Sequence, residues 1–481
     1  MPHRAASVGV LVFAAFMDLM DATVVNVALP SIQRGLRATP AELESTVGGY
    51  TLAFAALLIT AGRLGDMVGR RRVFVAGVLA FAATSLLAAV APTAPVLVLA
   101  RVLQGAAAAL MVPQLLSTVQ ALFSPRERPA VYGVVGGVSG LAAVAGPLLG
   151  GWLVTSDAFG IGWRSIFTIN VPIGVALAVL ALAVVPDTRA DQPLRPDLLG
   201  AGASVGGVAL VVYALVEGRP HHWSAWIWVL GGAGVALLVG FVAQQRRRQR
   251  QGRSPLVPTS LFTERGFAAG VLVQGTFQAG VAALAIVLAL YLQVGLGYDA
   301  IGSGLALLPF AIGAFVGCFV AVPLGTAVGR SIVVLGALLM AGSVGWLAAV
   351  VGARGDALSN WSITPPLALA GVGLGFVVVP LVDIALATVP GSDAGAASGV
   401  FGTAQQAGAA LGVAVAGVVF FRWTVPSAAV LRHALLAAAW VPGVAFALAA
   451  VVACFLPRRD LVRAHAAQEA QWTKDDVEPV G

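Results

Sequence analysis

Two carboxylates three residues apart, Asp18 and Asp21, stand inside the apolar stretch MDLMDATVVNVALP at residues 17–30. That spacing puts both on one face of a helix. In a low-dielectric surrounding two close carboxylates resist double ionisation, so the pair is suited to exchanging a proton or binding a cation. The alternative is a hydrogen-bonded carboxylate that only fixes its helix. Arg101 lies in another apolar stretch with Gln104 one turn on. It sits about 8 Å from the outer end of its segment, and Asp21 about 13 Å from the outer end of its own, near enough for an ion pair or a water bridge. The competing reading is that Arg101 snorkels to the headgroups. Asn26 adds donors and acceptors further along.

In the second half of the chain Asp383 is the one carboxylate within an apolar segment, about 9 Å from its inner end. It reads equally well as a cation-binding group and as a side chain reaching the interface. Gln274, Gln278, Gln405 and Gln406 either line a cavity or bond neighbouring helices together. No nucleophile–base pair and no metal-ligand spacing lies at this depth. Non-enzymatic chemistry is therefore expected, with no cofactor and no metal.

These residues need a membrane around them. The chain has 481 residues, 59% hydrophobic and 10% charged, with a mean hydropathy of +0.93. Soluble domains are about 45–50% apolar and about 25% charged. Apolar runs of about 20 residues fit spanning helices and not barrel strands. The net charge of +7 sits in short loops between those runs, which points to membrane topology and away from nucleic acid. Cys318 and Cys454 lie in apolar runs and support no disulfide framework. The first run continues to Pro30 with no cleavage site after it, so a permanent helix is expected in place of a signal peptide.

Fourteen apolar segments are expected, at about 8–30, 46–65, 74–92, 96–121, 131–155, 166–185, 198–217, 225–243, 266–292, 302–326, 330–350, 364–389, 396–421 and 433–456. With both termini cytoplasmic, the inner loops and tails hold twenty basic residues and the outer loops seven, Arg101 being the twenty-eighth. The positive-inside bias selects that orientation.

The chain also repeats itself. LGDMVGRR (64–71) returns as LGTAVGRS (324–331), with Thr326 in place of Asp66. Pro113 and Pro380 open similar stretches, and Gly133 and Gly146 match Gly399 and Gly412. Spans 1–6 therefore map onto spans 9–14 as a parallel repeat. The expected units are 1–188, a six-helix bundle; 189–253, an inserted pair with a basic linker; and 254–481, a second six-helix bundle with a tail. The linker QQRRRQRQGR (244–253) is read as a solvated loop that sets topology and touches anionic lipid.

Four stretches carry a family resemblance: DATVVNVALP (21–30), GRLGDMVGRRR (62–72), RVLQG (101–105) and GVVGGVSGLAAVAGPLLGG (133–151). Together they resemble the major facilitator superfamily, specifically its fourteen-helix drug:proton antiporters. Ala142 departs from that pattern where a glycine is usual. The resemblance implies an all-α polytopic membrane protein of two pseudo-symmetric six-helix bundles plus two inserted helices. It implies proton-driven export of amphipathic or cationic compounds by a monomer in a bacterial inner membrane. A nutrient importer and an exporter of lipid or of a self-made metabolite share the fold and stay open. The resemblance also implies a latch at the inner mouth, in Gly62, Gly65, Asp66, Gly69, Arg70 and Arg71. Asp66 can accept bonds from a neighbouring Arg or from a helix N-terminus. In the fifth span Gly146, Pro147, Gly150 and Gly151 suit close packing and bending, a feature that goes with export in the family.

Overall fold

The computed structural model describes residues 4–156, 160–189, 196–298, 300–354, 359–387, 389–420 and 428–457, and among them no strand occurs. The first bundle is α1 (Arg4–Leu36), α2 (Pro40–Val68), α3 (Arg70–Ala89), α4 (Ala94–Leu122), α5 (Arg128–Ser156), the short α6 (Ser165–Thr168) and α7 (Asn170–Val184). Then come α8 (Leu198–Glu217) and α9 (Ala225–Arg250). The second bundle is α10 (Arg265–Leu290), α11 (Ala300–Ala306), α12 (Leu308–Val328), α13 (Arg330–Arg354), α14 (Asn360–Leu386), α15 (Ala394–Phe420), α16 (Ala428–Ala438) and α17 (Trp440–Ala453).

Among the described residues thirteen helical stretches are long and apolar enough to cross a membrane. The 29-residue α5 occupies the remaining expected segment. The sixth, tenth and fourteenth segments are each divided, into α6–α7, α11–α12 and α16–α17. Pro172, Pro309 and Pro442 follow the three breaks within a few residues, and a proline has no N–H to continue the preceding ladder. Helix α2 starts on a capping box, with Thr39 and Glu42 bonding each other's backbone N–H and Pro40 in the first turn.

The packing repeats as the sequence does. In the first bundle α2 and α3 pack on α4, α1 on α5 and α3 on α7; in the second, α12 and α13 pack on α14, α10 on α15 and α13 on α17. The duplicated loop is duplicated in backbone. Gly69 and Gly329 both close a helix at positive φ, 117° and 60°, and donate to Gly65 O and Gly325 O at 3.0 and 2.9 Å. A residue with a Cβ is strained there, which accounts for glycine at both positions. The side chain of Thr326 lies outside the described residues. The halves meet along α2–α15 and α4–α15 on one side and along α5–α12 and α5–α14 on the other. Helices α8 and α9 pack on each other, and α8 also on α2 and α15.

Polarity is inverted relative to a water-soluble fold. Trp361, Trp440, Phe455 and Val229 are exposed, whereas Asp18, Asp21, Arg63, Asp66, Arg70 and Arg101 are buried. Outward apolar and inward charged side chains are what a lipid solvent selects. One expectation is corrected here. The run 244–253 is not a loop through its length: α9 stays helical to Arg250, and Gln245 is buried. Gln and Arg are good helix formers, and a three- to four-residue spacing turns Gln245, Arg248 and Gln249 toward the protein.

Candidate functional site

The charges at membrane depth gather inside the first bundle. Arg101 on α4 donates from Nη1 to Asp21 Oδ2 on α1, and both side chains are 1% exposed. Gln104 Nε2 donates to Asp21 Oδ1 at 3.1 Å and to Ser85 Oγ at 2.6 Å. Asn170, at the start of α7, donates to Asp21 Oδ1 at 2.6 Å. Asp21 thus has a full set of donors from α4 and α7 and one neutralising cation. Arg101 also reaches Gln104 Oε1 and Thr46 O, and its guanidinium lies 4.3 Å from the centre of the Tyr50 ring and 5.8 Å from that of Phe167. It is turned inward and does not snorkel.

Asp18, one turn earlier on the same buried face, takes a different partner: Tyr50 of α2 donates its hydroxyl to Asp18 Oδ1. Tyr50 therefore touches both carboxylate systems, with its ring over Arg101 and its hydroxyl on Asp18. The glycine of RVLQG explains how it gets there. A Cβ on Gly105 would meet the backbone carbonyl of Tyr50, so glycine lets α2 and α4 come this close. Asp18 and Asp21 share a helix face but not a ligand set.

The other candidates are scattered. Asn26 is exposed and, among the described residues, donates back to Ala22 O at 3.4 Å. Five residues past Asp21 it has turned about 140° around the helix, onto the open face. Gln274 is buried and Gln278, Gln405 and Gln406 are half-buried; they flank the α10–α15 crossing, where Gly408 meets Gly275 and Gly412 meets Ala279. Asp383 is half-buried on α14, in the electrostatic reach of Arg128 at the start of α5 and of Tyr132 one turn on. These residues are not brought to one place with Asp21.

At the arginine-rich end, bonds tie the two halves together. Asp66 accepts from the backbone N–H groups of Gly395 and Ala396 at 3.1 Å each and from Arg70 Nη2 at 3.0 Å. Those N–H groups open α15, so the carboxylate sits on the positive end of a helix dipole. Arg70 also donates to Gly391 O at 2.8 Å, and Arg63 pairs with Asp393 at 2.9 Å. A Cβ on Gly62 would meet the carbonyl of Gly395, and one on Gly65 would meet Gln114. Arg71 donates to Val185 O at 3.3 Å, tying α3 to the end of α7. In α5, Gly146 meets Thr23 and Met20 O of α1, and Gly150 meets Val24. Gly151 is buried beside them, and the side chain of Pro147 lies outside the described residues.

Sequence reasoning passed over Tyr50, Ser85, Asn170, Arg63 and Asp393. Asn170 carried a signal, a lone amide inside an apolar segment. Arg63 was counted only as a topology charge. Tyr50 carried none, because its role depends on which helix face meets α1 and α4.

The sequence pattern of the Major Facilitator Superfamily matches residues 11–413. The chain is 42% identical over 422 residues, 87% of its length and 73% of the relative's, to a probable actinorhodin transporter of Streptomyces coelicolor. It is 36% identical to the puromycin resistance protein pur8 of Streptomyces alboniger, over 86% of this chain and 81% of that one. It is 33% identical to the tetracenomycin C resistance and export protein of Streptomyces glaucescens, over 86% and 74%. Among solved structures, the human organic anion transporter MFSD10 (TETRAN) superposes with a TM-score of 0.66 at 15% identity, over 94% of this chain and 100% of that one, which shows a shared fold.

Proposed function

This chain belongs to the Major Facilitator Superfamily, and on that premise we propose that it is a proton-driven antiporter that exports amphipathic or cationic organic compounds of antibiotic type. It is a multi-pass membrane protein. We place its arginine-rich end and both termini in the cytoplasm of a bacterium, by the positive-inside rule. The units 1–188 and 254–481 are the rocking halves, with 189–253 inserted between them.

One observation supports the reading most. Two carboxylates lie buried at membrane depth in the half whose inner end carries the latch, and they are held differently. The Asp21–Arg101 pair is electrically closed and saturated with amide donors. The group we assign to proton exchange is then Asp18, whose carboxylate accepts from the Tyr50 hydroxyl. Asp383 and the glutamines of α10 and α15 line the route of the compound in the second half. A closed inner latch belongs to the outward-facing step of the cycle, the state in which a proton enters and cargo leaves. That three relatives are named for transport of, or resistance to, particular antibiotics supports export over nutrient import. It also favours a narrow substrate range as the second reading.

The test is drug-driven proton movement in proteoliposomes with wild type, Asp18→Asn and Asp21→Asn, across a chemically varied panel. Proton movement with at least one compound, lost in Asp18→Asn, is expected. Wild-type coupling in Asp18→Asn would remove that residue from the role, and no proton movement with any compound would remove the antiporter reading.

A further inference from the structure

In the segment joining α9 to α10, Ser254–Phe262, the residues Leu256, Val257, Pro258 and Leu261 are buried where a connector would be expected to face water. Leu256, Val257 and Leu261 pack with Ile59 of α2, Leu386 at the end of α14, and Ala397 and Val400 of α15. The segment therefore lies across the seam between the two halves, at the latched end.

It is held from both sides. Gln245 Oε1 accepts from the backbone N–H of Leu256 at 2.6 Å and of Val257 at 3.2 Å. Gln249 Oε1 accepts from Thr259 Oγ1 at 2.7 Å, and Arg248 donates to Ser254 O at 3.2 Å. Gln245 is itself fixed by Asp197, to whose Oδ2 its Nε2 donates at 2.8 Å. Asp197 also accepts from Gly200 N–H at 3.0 Å, capping α8, and from Gln244 at 3.1 Å, and it pairs with Arg248 at 3.3 Å. From the other half of the seam, Arg63 Nη2 donates to Pro255 O at 3.0 Å while its Nη1 holds Asp393. The carbonyl of the connector thus completes the coordination of a latch arginine.

We propose that Ser254–Phe262 is a wedge that seals the inner mouth, and that Gln245 and Asp197 are its positioning residues, so that the inserted pair α8–α9 serves the gate. A buried carboxylate and a buried amide at the inner ends of two helices are costly unless their polar atoms are matched; here the wedge backbone matches the Gln245 oxygen, and the Gln245 amide nitrogen in turn matches Asp197. Opening the mouth separates α2 from α15, so the wedge must release Arg63 or its α15 contacts in each cycle. The inference rests on alternating access by the two halves, and on no substrate.

The native Cys318 is the reporter. It is buried on α12 and faces Gly136 of α5 across the opposite seam. In full-length Cys454→Ser protein it is the sole thiol, and its rate of maleimide labelling in inside-out vesicles reads opening of the mouth. Gln245→Leu loses the two bonds to the wedge backbone and the one to Asp197, and should speed labelling about tenfold or more. Gln245→Glu, which sets a second carboxylate on Asp197, should speed it as well. The swapped double Asp197→Asn/Gln245→Glu keeps one amide facing one carboxylate and should return the slow rate. Unchanged labelling in both single variants, or a swapped double as fast as Gln245→Glu, overturns the proposal. Should Gln245→Leu fail to give a monodisperse protein, Gln245→Glu against the swapped double decides. Neither drug nor proton enters this readout, so its failure is separate from failure of the efflux reading.

Discussion

Asp21→Asn tests how the charge cluster is held. In wild type the carboxylate has Arg101, Gln104 and Asn170 as donors, with Asp21 and Arg101 both 1% exposed at the side chain. An asparagine oxygen still accepts from the two amides. It leaves Arg101 a buried cation without a counter-charge, held by Gln104 Oε1, Thr46 O and the Tyr50 and Phe167 rings. Breaking a buried pair by removing one partner costs about 3–5 kcal/mol, and this residual coordination puts the cost near the lower end. The folded-to-unfolded ratio should then fall about 150-fold, at ~1.4 kcal/mol per tenfold. Asp21→Asn/Arg101→Gln removes both charges and should recover all but about 1 kcal/mol, because a neutral buried pair has little left to desolvate. The assay is equilibrium unfolding in mixed detergent micelles for the four members of the cycle, alongside drug-driven proton movement. The double variant should fold within about 1 kcal/mol of wild type and keep the coupled proton, because Asp18 and its Tyr50 partner are untouched. If Asp21→Asn alone is as stable as wild type, or the double is less stable than both singles, Arg101 is not held by Asp21 in the way described.

Three more outcomes follow from the inner end. Asp66→Asn gives up the charge that engages Arg70 and the α15 N-terminus, and should speed Cys318 labelling on the order of thirtyfold without loss of folded protein; an unchanged rate counts against the latch. Gly62→Val places a side chain where the Gly395 carbonyl lies, so it should hold α2 off α15 and abolish efflux at normal membrane abundance. Asp197 gives a pH signature. Burial alone would push its carboxyl up, but donors from Gln245, Gly200 and Gln244 and the charge of Arg248 outweigh it, leaving it below the ordinary carboxylate range. A depressed folded value means that its contribution is complete above the unfolded value of about 3.9 and is lost as pH falls through the folded one. Cys318 labelling, taken relative to a free thiol at the same pH because the thiolate is the reacting form, should therefore quicken below about pH 4 in wild type, and Asp197→Asn should flatten that dependence.

What the sequence made legible was set by periodicity and by charge in the wrong solvent. The spans followed from apolar length, the duplicated loop from its glycines, and the level match of Asp21 and Arg101 from counting rise per residue. Three kinds of feature were illegible. Asp18 and Asp21 looked like one site because spacing fixes a helix face but not the neighbour on it; Tyr50 and Asn170 decide the difference and come from α2 and α7. Asn26 looked like a third member because it follows closely in sequence, though the helix turns it away. Arginine composition concealed the end of α9, where Gln245 and Arg248 face inward among residues that outwardly only set topology.

The proposed proton site and the proposed latch share one element. Tyr50 and Asp66 both belong to α2, sixteen residues or about 24 Å apart along the axis. No proline interrupts the helix after its first turn, so it moves as a rod between close glycine contacts at Gly105 and at Gly395. A proton arriving on Asp18 changes what Tyr50 holds at one end, and the other end carries the groups that grip α15. Substitutions more than about 10 Å apart usually add within about 0.5 kcal/mol. Tyr50→Phe, which keeps the ring on Arg101 and removes the donor to Asp18, and Asp66→Asn should break that rule. Once either has released α2, the other has less to release, so Cys318 labelling in the double variant should fall short of the product of the single effects. Strict additivity would mean that the two sites do not communicate through α2, and that the proton acts on the gate by another route.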